Sequence, residues 1–278
     1  MPAVGMREVA GPAMAAGRAV GAFNVILLEH AEAVVAGAEA AGAPVVLAVS
    51  ENCVRYHGGL GALGAACVSL ARGASVPVVL HLDHATSPGL VAEAASAGFG
   101  SVMFDASSLP YERNVAATAE VTRWCHDRDL WAEAELGEIG GKDGVHAPGV
   151  RTDPAAAERF VADCGVDALA VAVGSSHAMT SRTAELDLEL IEAIHARVPV
   201  PLVLHGASGV PDADLAAAVR AGMTKVNIAT HLNHAFTAAL RQHLAEDSDV
   251  VDTRRYLGTA RDAVAAEAAR LLSLLALR

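Results

Sequence analysis

Aromatic side chains are scarce in this 278-residue chain, at 4%, while cysteine appears four times and lysine twice. With so few rings, the apolar weight falls on Ala, Val and Leu, which suit buried parallel strands and close-packed helices better than β-sandwiches. Cys53, Cys67, Cys125 and Cys164 show no C-x-x-C spacing. Four scattered cysteines make no dense disulfide framework and read as small buried hydrophobes in a reducing compartment. No stretch of 18 apolar residues is free of charge or proline, and the start of the chain lacks a basic segment followed by an apolar run. The expectation is a soluble cytoplasmic protein with no membrane partner. Basic residues number 20 against 32 acidic ones, a net charge of −12. This disfavours a nucleic-acid partner but permits a small anionic metabolite held by backbone amides. A glycine-rich phosphate turn is missing too. Phe23-Asn24-Val25 closes the first apolar run, where a dinucleotide or P-loop fold needs G-x-G-x-x-G or a Walker pattern.

What the chain does have is 53% hydrophobic residues, arranged as short apolar runs alternating with longer alanine-rich stretches. The runs cover Gly21–Val25, Pro44–Val49, Pro77–Leu82, Ser101–Phe104, Leu130–Leu136, Asp167–Val173, Pro201–Leu204 and Lys225–Ile228. Each is nearly continuous in apolar character, as a strand covered on both faces must be, and the stretches between are long enough for right-handed parallel crossovers. Gly42-Ala43-Pro44, Val76-Pro77 and Val198-Pro199-Val200-Pro201 mark helix-to-strand joins, and Asp153-Pro154 opens a helix. The economical fold is α/β, a (β/α)8 TIM barrel filling residues 1–278 as one domain, against a doubly wound sheet as competitor. Residues 252–278 carry Leu257, Val264, Leu271 and Leu275 at helical spacing. They predict a C-terminal helical extension packed on the barrel or on another subunit.

Barrel chemistry sits at the C-terminal ends of the strands. The polar residues there are Asn24, Ser50, Asp83 with His84, Asp105, Glu133 with Glu135, Ser175 to His177, His205 to Ser208, and Asn227 to Thr230. His84, His177 and His205 end the third, sixth and seventh runs. Three imidazoles converging at the mouth would leave one position of a tetrahedral zinc open, as catalytic zinc requires. The histidines at 30, 57, 126, 195, 234 and 243 fall within helical stretches or early in loops and read as structural. Asp83 has two readings: proton transfer to a substrate oxygen, or an acceptor that orients a metal-bound imidazole. Small residues at Gly206-Ala207-Ser208 and Asn227-Ile228-Ala229-Thr230 follow the last two runs, where barrels commonly bind phosphate.

Six blocks carry a family resemblance: Ala22-Phe23-Asn24, His81-Leu82-Asp83-His84, Ser101-Val102-Met103-Phe104-Asp105-Ala106-Ser107, Glu133-Ala134-Glu135-Leu136-Gly137, Val203-Leu204-His205-Gly206-Ala207-Ser208-Gly209 and Lys225-Val226-Asn227-Ile228-Ala229-Thr230. In this order the chain resembles the class II, zinc-dependent fructose- and tagatose-bisphosphate aldolase family, the shorter tagatose-type members most. The resemblance implies reversible cleavage of a ketose bisphosphate, fructose 1,6-bisphosphate or tagatose 1,6-bisphosphate, to dihydroxyacetone phosphate and glyceraldehyde 3-phosphate. It implies His84, His177 and His205 as zinc ligands and Asp83 as the acid/base at the C4 oxygen. Asp105 and Glu135 match positions that hold a second divalent or a monovalent cation in some members. Asn24, Ser50, Ala178, Gly206 to Ser208 and Asn227 to Thr230 match substrate-binding positions. A zinc Lewis acid fits a chain whose only lysines are Lys142 and Lys225, with Lys225 placed deep in the barrel. Three departures stand out. Ala178 replaces a usual glycine, His231 a usually acidic residue, and the loop Gly140-Gly141-Lys142-Asp143-Gly144 is short and lacks the family's glutamate. Asp143 is the expected substitute, with His146 second. Family habit implies a homodimer or homotetramer. The rival readings are a zinc barrel hydrolase and an inactive sugar-phosphate-binding barrel.

Overall fold

The structure, a computed structural model, describes residues 3–137 and 150–278. Eight parallel strands close into a barrel in chain order. They are β1 (Val20–Asn24), β2 (Val45–Ser50), β3 (Val78–Ala85), β4 (Ser101–Phe104), β5 (Trp131–Leu136), β6 (Ala168–Val171), β7 (Leu202–Leu204) and β8 (Met223–Ile228). All eight apolar runs are strands, with ends moved by up to three residues, so the barrel replaces its doubly wound competitor. Glycine and proline fix the joins as expected. Gly42 closes the helix before β2 in the left-handed conformation, and Asp153 caps the helix that starts at Pro154 by accepting from the Ala156 N–H at 2.8 Å.

The barrel interior changes character along its axis. At the N-terminal end Val20, Ala22, Val46, Val79, Met103, Trp131, Ala168, Ala170 and Val203 form an apolar plug. Helix α1 (Met6–Ala15), which precedes the first strand, caps that plug with Met6, Val9 and Ala10. Above it the inward positions turn polar: His81, Asp83, Glu133, Lys225 and Asn227 are all buried. The outward strand residues pack in a separate and larger cluster beneath the helices.

The tail forms one long helix, α11 (Thr253–Leu275), lying along α2 (Leu28–Ala41) and α10 (Thr230–Glu246). Val264, Leu271 and Leu275 are fully or almost fully buried, and Leu257 packs partly against the same cluster. The approach of α11 to α2 explains a glycine inside a helix. A Cβ at Gly37 would lie 2.6 Å from the Ala265 carbonyl oxygen, so any side chain would push the two helices apart. Among the described residues, no helix is long and apolar enough to cross a membrane.

Candidate active site

A cavity of about 340 Å³ opens at the C-terminal ends of the strands, with Asn24, Ser50, Asp83, His84, His177, His205 and Asn227 in its wall. Strand alternation places His81 and Asp83 on the inner face of β3, so His84 should point outward. It does not. The β3–β4 register shifts between Leu82 and Ala85, and His84 takes φ 52°, a left-handed conformation that costs an L-residue roughly 1–2 kcal/mol. The irregularity lets two consecutive residues, Asp83 and His84, serve one cavity.

The three predicted histidines do come together. The His84 ring centroid lies 5.1 Å from that of His177 and 4.6 Å from that of His205, and His177 and His205 are 5.8 Å apart. One nitrogen from each falls within 4.8 Å of the others, the spread expected of atoms that share one metal ion. The surroundings fix two of the tautomers. The His84 Nδ1–H donates to Asp105 Oδ2 at 2.8 Å, leaving Nε2 with its lone pair. The His205 Nε2–H donates to Glu133 Oε1 at 3.1 Å, leaving Nδ1 as the lone-pair nitrogen. Neutral imidazoles oriented by buried carboxylates are the donor set that a divalent cation such as zinc requires, so the residues present fit the implied metal. His84, Asp105 and Glu135 form a second group with the same spacing and share His84 with the first.

Glu133 lies deeper than its neighbours at the mouth. Its side chain is fully buried and accepts from the Lys225 ammonium at 2.9 and 3.1 Å. Lys225 is thus an ion-pair partner at the barrel axis, as its depth in the sequence pattern implies. Its ammonium also lies 3.5 Å from His81 Nε2, so that nitrogen accepts and the opposite Nδ1–H donates to Ser101 Oγ at 2.7 Å. Burial and the Lys225 charge push the His81 imidazole down to about 3, which keeps it neutral.

Asp83 is held by two amides, Asn24 Nδ2 on Oδ2 at 2.8 Å and Asn227 Nδ2 on Oδ1 at 3.3 Å. Burial works against its charge, but any proton carried by His84, His205 or His81, together with the Lys225 ammonium, favours it and holds the carboxyl well below the usual carboxylate range. It is therefore an oriented carboxylate at neutral pH. Asn227 Oδ1, buried in the same place, has no hydrogen-bond partner among the described residues and can receive a substrate hydroxyl.

Across the mouth, Gly206 and a 3-10 turn at Ala207–Gly209 meet the start of α10. Ala229 donates its N–H to Ser208 Oγ at 3.1 Å, tying the β7 and β8 ends together. Gly206 has φ 68°, and a Cβ there would lie 2.6 Å from the Ser176 carbonyl carbon. Only glycine lets the two loops approach this closely. Gly206, Ser208, Ala229 and Thr230 line the cavity at the N-terminus of α10, where backbone amides and the helix dipole favour an anion. Ala207 and Ile228 are not in the cavity wall. Both side chains belong to the outer core, Ala207 from the turn after β7 and Ile228 because β8 turns Lys225 and Asn227 inward and Val226 and Ile228 outward. They can contribute backbone groups only. Ala178 does line the cavity and takes φ 56°, which explains why glycine suits that position.

Asp143 and His146 lie outside the described residues. The six histidines read as structural belong to neither metal-type group; His30 stacks on Phe236 at 4.7 Å, and His57 Nε2 meets the Ile26 carbonyl at 2.7 Å. His231, the departure beside the cradle, bonds to Glu267 of α11. Five cavity residues escaped the sequence reading: Ile26, which follows β1, Glu51, Asn52 and Arg55 on α3 (Glu51–His57), and Thr86. Helix α3 starts at the residue after β2, so the rim there is helix rather than loop. The charged pair Glu51 and Arg55, one helical turn apart, was the available signal.

A closed eight-stranded barrel with three convergent imidazoles, an oriented carboxylate and small residues at a helix N-terminus brings together the groups that a metal-dependent barrel enzyme needs for an anionic substrate. The comparisons narrow this class. The sequence signature described as fructose-bisphosphate aldolase class-II matches residues 4–277, and the chain belongs to that family of lyases. It is 40% identical over 272 residues to a fructose-bisphosphate aldolase of Staphylococcus epidermidis, covering 95% of this chain and 94% of the relative. A fructose-bisphosphate aldolase of Geobacillus stearothermophilus is 40% identical over 274 residues, with 96% and 94% covered. Among solved structures, the YdjI aldolase of Escherichia coli K12 superposes with a TM-score of 0.85 at 32% identity, covering 98% of this chain and 97% of the other.

Proposed function

We propose that this aldolase reversibly cleaves fructose 1,6-bisphosphate to dihydroxyacetone phosphate and glyceraldehyde 3-phosphate, with tagatose 1,6-bisphosphate as the second substrate to test. The observation that carries the reading is the Asp83 carboxylate, fixed by Asn24 and Asn227 beside the three histidines. Asp83 takes the proton from the C4 hydroxyl as the C3–C4 bond breaks, so that C4 leaves as an aldehyde and the electron pair stays on C3. His84, His177 and His205 hold a zinc ion, which when bound supplies a Lewis acid for the neighbouring carbonyl. Asp105 and Glu133 keep two of those imidazoles in the ligating tautomer. Asp105 and Glu135 can also hold a second cation together with His84. The cradle at Gly206 to Ser208 and Ala229 to Thr230 takes the dihydroxyacetone phosphate end, and Ser50, at the end of β2, lines the same cavity. Asp143, with His146 as alternative, is proposed from the sequence alone as the group that protonates C3.

The test is triose phosphate release from fructose 1,6-bisphosphate before and after EDTA, with zinc added back. Loss with EDTA and recovery with zinc is expected. Orthophosphate release without triose would establish a hydrolase instead, and tight sugar binding without turnover an inactive barrel. A reducing, cytoplasmic setting fits the four free, buried cysteines. A single barrel domain with residues 252–278 packed on it fits the burial of α11. A homodimer or homotetramer fits the exposure of Tyr56 and Leu28, and light scattering after size-exclusion chromatography would measure it.

A further inference from the structure

Two of the three histidines are fixed by strands and the third is not. His84 belongs to β3 and His205 follows β7 directly, whereas His177 lies beyond the end of β6, on a stretch from 172 to 187 that is neither helix nor strand. A side chain on such a stretch is held less precisely than one on a strand, so the imidazoles stay together only if contacts from the stretch to its neighbours hold it. Its base is closed, because the Asp187 N–H donates to the Val173 carbonyl at 2.9 Å and brings the two ends together as in an Ω-loop. The outer part, which carries His177, rests on the turn after β7.

Beyond the close approach of Gly206 to Ser176, that seat is built by Arg182. Its Nε and Nη2 both donate to the Val210 carbonyl, at 2.9 and 2.6 Å, and Nη2 also donates to Asp212, the first residue of α9 (Asp212–Ala221). Beside it the Ala184 N–H donates to the Gly209 carbonyl at 2.9 Å. Asp212 is braced from the other side by Arg270 of α11, which also donates to Glu267 at 2.7 and 2.8 Å. A planar guanidinium on a carbonyl and a carboxylate is fixed in angle as well as position, and a chain of charges holds where a single exposed pair would not. Arg182 is not in the cavity wall, so it acts through the loop rather than on a substrate. We propose that Arg182, braced by Asp212 and Arg270, is a positioning residue for His177: it pins the loop to the turn after β7 and keeps the third imidazole where the other two can share a metal ion with it. This rests on reading the three histidines as a metal site and goes beyond it by naming what sets the affinity of that site.

The test measures zinc affinity, by competition with a fluorescent chelator, in the wild type, Arg182→Met and Arg182→Lys, each with and without His177→Ala. Hydrogen exchange on the zinc-free proteins reads the protection of amides 175–184. Arg182→Met should bind zinc about 10- to 100-fold more weakly than the wild type. Arg182→Lys, which keeps the charge but not the fork, should recover part of that. Neither change should matter once His177 is alanine, because a residue that acts through His177 has nothing left to act on. A side chain that only stabilises the fold would weaken zinc binding equally in both backgrounds or not at all. A fall of less than tenfold in Arg182→Met, or one that persists without His177, overturns the assignment. If the methionine variant does not fold, the same comparison is made with Arg182→Lys, where a loss that His177→Ala does not abolish overturns it. If the wild type itself binds no zinc, the metal reading fails on its own, and unchanged protection of 175–184 in Arg182→Met would still refute the clamp.

Discussion

Replacing Lys225 with methionine tests whether the barrel axis is held by a compensated charge. Lys225 and Glu133 are 2% and 1% exposed, and the ammonium makes contacts of 2.9 and 3.1 Å to the two carboxylate oxygens. Without it, Glu133 keeps a single donor, the His205 Nε2–H, and becomes a buried charge with no cation. Breaking a buried pair in this way costs roughly 3–5 kcal/mol. At roughly 2–4 °C per kcal/mol for chains near this size, Tm should fall by about 6–20 °C. Removing both charges, as Glu133→Leu with Lys225→Met, should recover part of that. What remains is the His205 N–H left without an acceptor and the buried His81 Nε2 left without its donor, about 1–3 kcal/mol each at most. The double variant should still bind zinc roughly 10- to 100-fold more weakly, because nothing then holds the His205 tautomer. Circular dichroism melts in EDTA read the first quantity, and competition with a fluorescent chelator reads the second. A Lys225→Met protein within about 1 kcal/mol of wild type would refute the compensation argument. Wild-type zinc affinity in the double variant would refute the orienting role of Glu133.

His84→Ala should lose metal and turnover together, whereas Asp83→Ala should keep the metal and lose about 100-fold or more in cleavage; metal analysis beside the triose assay separates them, and near-full turnover in Asp83→Ala would remove it from the proton transfer. Ala178→Gly should relieve roughly 1–2 kcal/mol of left-handed strain at φ 56°, offset by about 0.4–1 kcal/mol of extra chain entropy in the unfolded state, for a small net gain in a urea melt. Burial pushes the thiol of Cys53 up to about 11 and those of Cys67, Cys125 and Cys164 up to about 12. With almost no thiolate at pH 8, none should react with a disulfide reagent in the native protein, and all four should react once it is unfolded.

The barrel was legible because its strands are buried on both faces, so each announces itself as an apolar run whatever its partners. Helix α1 was not. Its buried residues Met6, Val9 and Ala10 do have helical spacing, but Gly5, Gly11 and Pro12 interrupt the local propensity. Its role, closing the apolar end of the barrel, becomes visible only when strands from the whole chain converge. The tail was easier, since Val264, Leu271 and Leu275 repeat over a long uninterrupted helix whose burial against α2 is continuous.

In the site, side-chain type and position at a strand end were enough to collect the three histidines, Asp83 and Asn227, because a barrel brings every such position to one rim. Depth and direction needed more than type. Alternation along β8 assigns Ile228 to the outer core, yet its place within a motif placed it beside the substrate. Alternation along β3 fails in the opposite sense, since only the irregularity at His84 lets it share a cavity with Asp83. A period-two rule holds while the ladder is regular, and β3 breaks it where the chemistry needs two adjacent side chains on one face. A backbone in that state is sustained by its contacts. The Asp105 bond to His84 and the amides on Asp83 therefore hold the strand's conformation as well as the orientation of the two side chains.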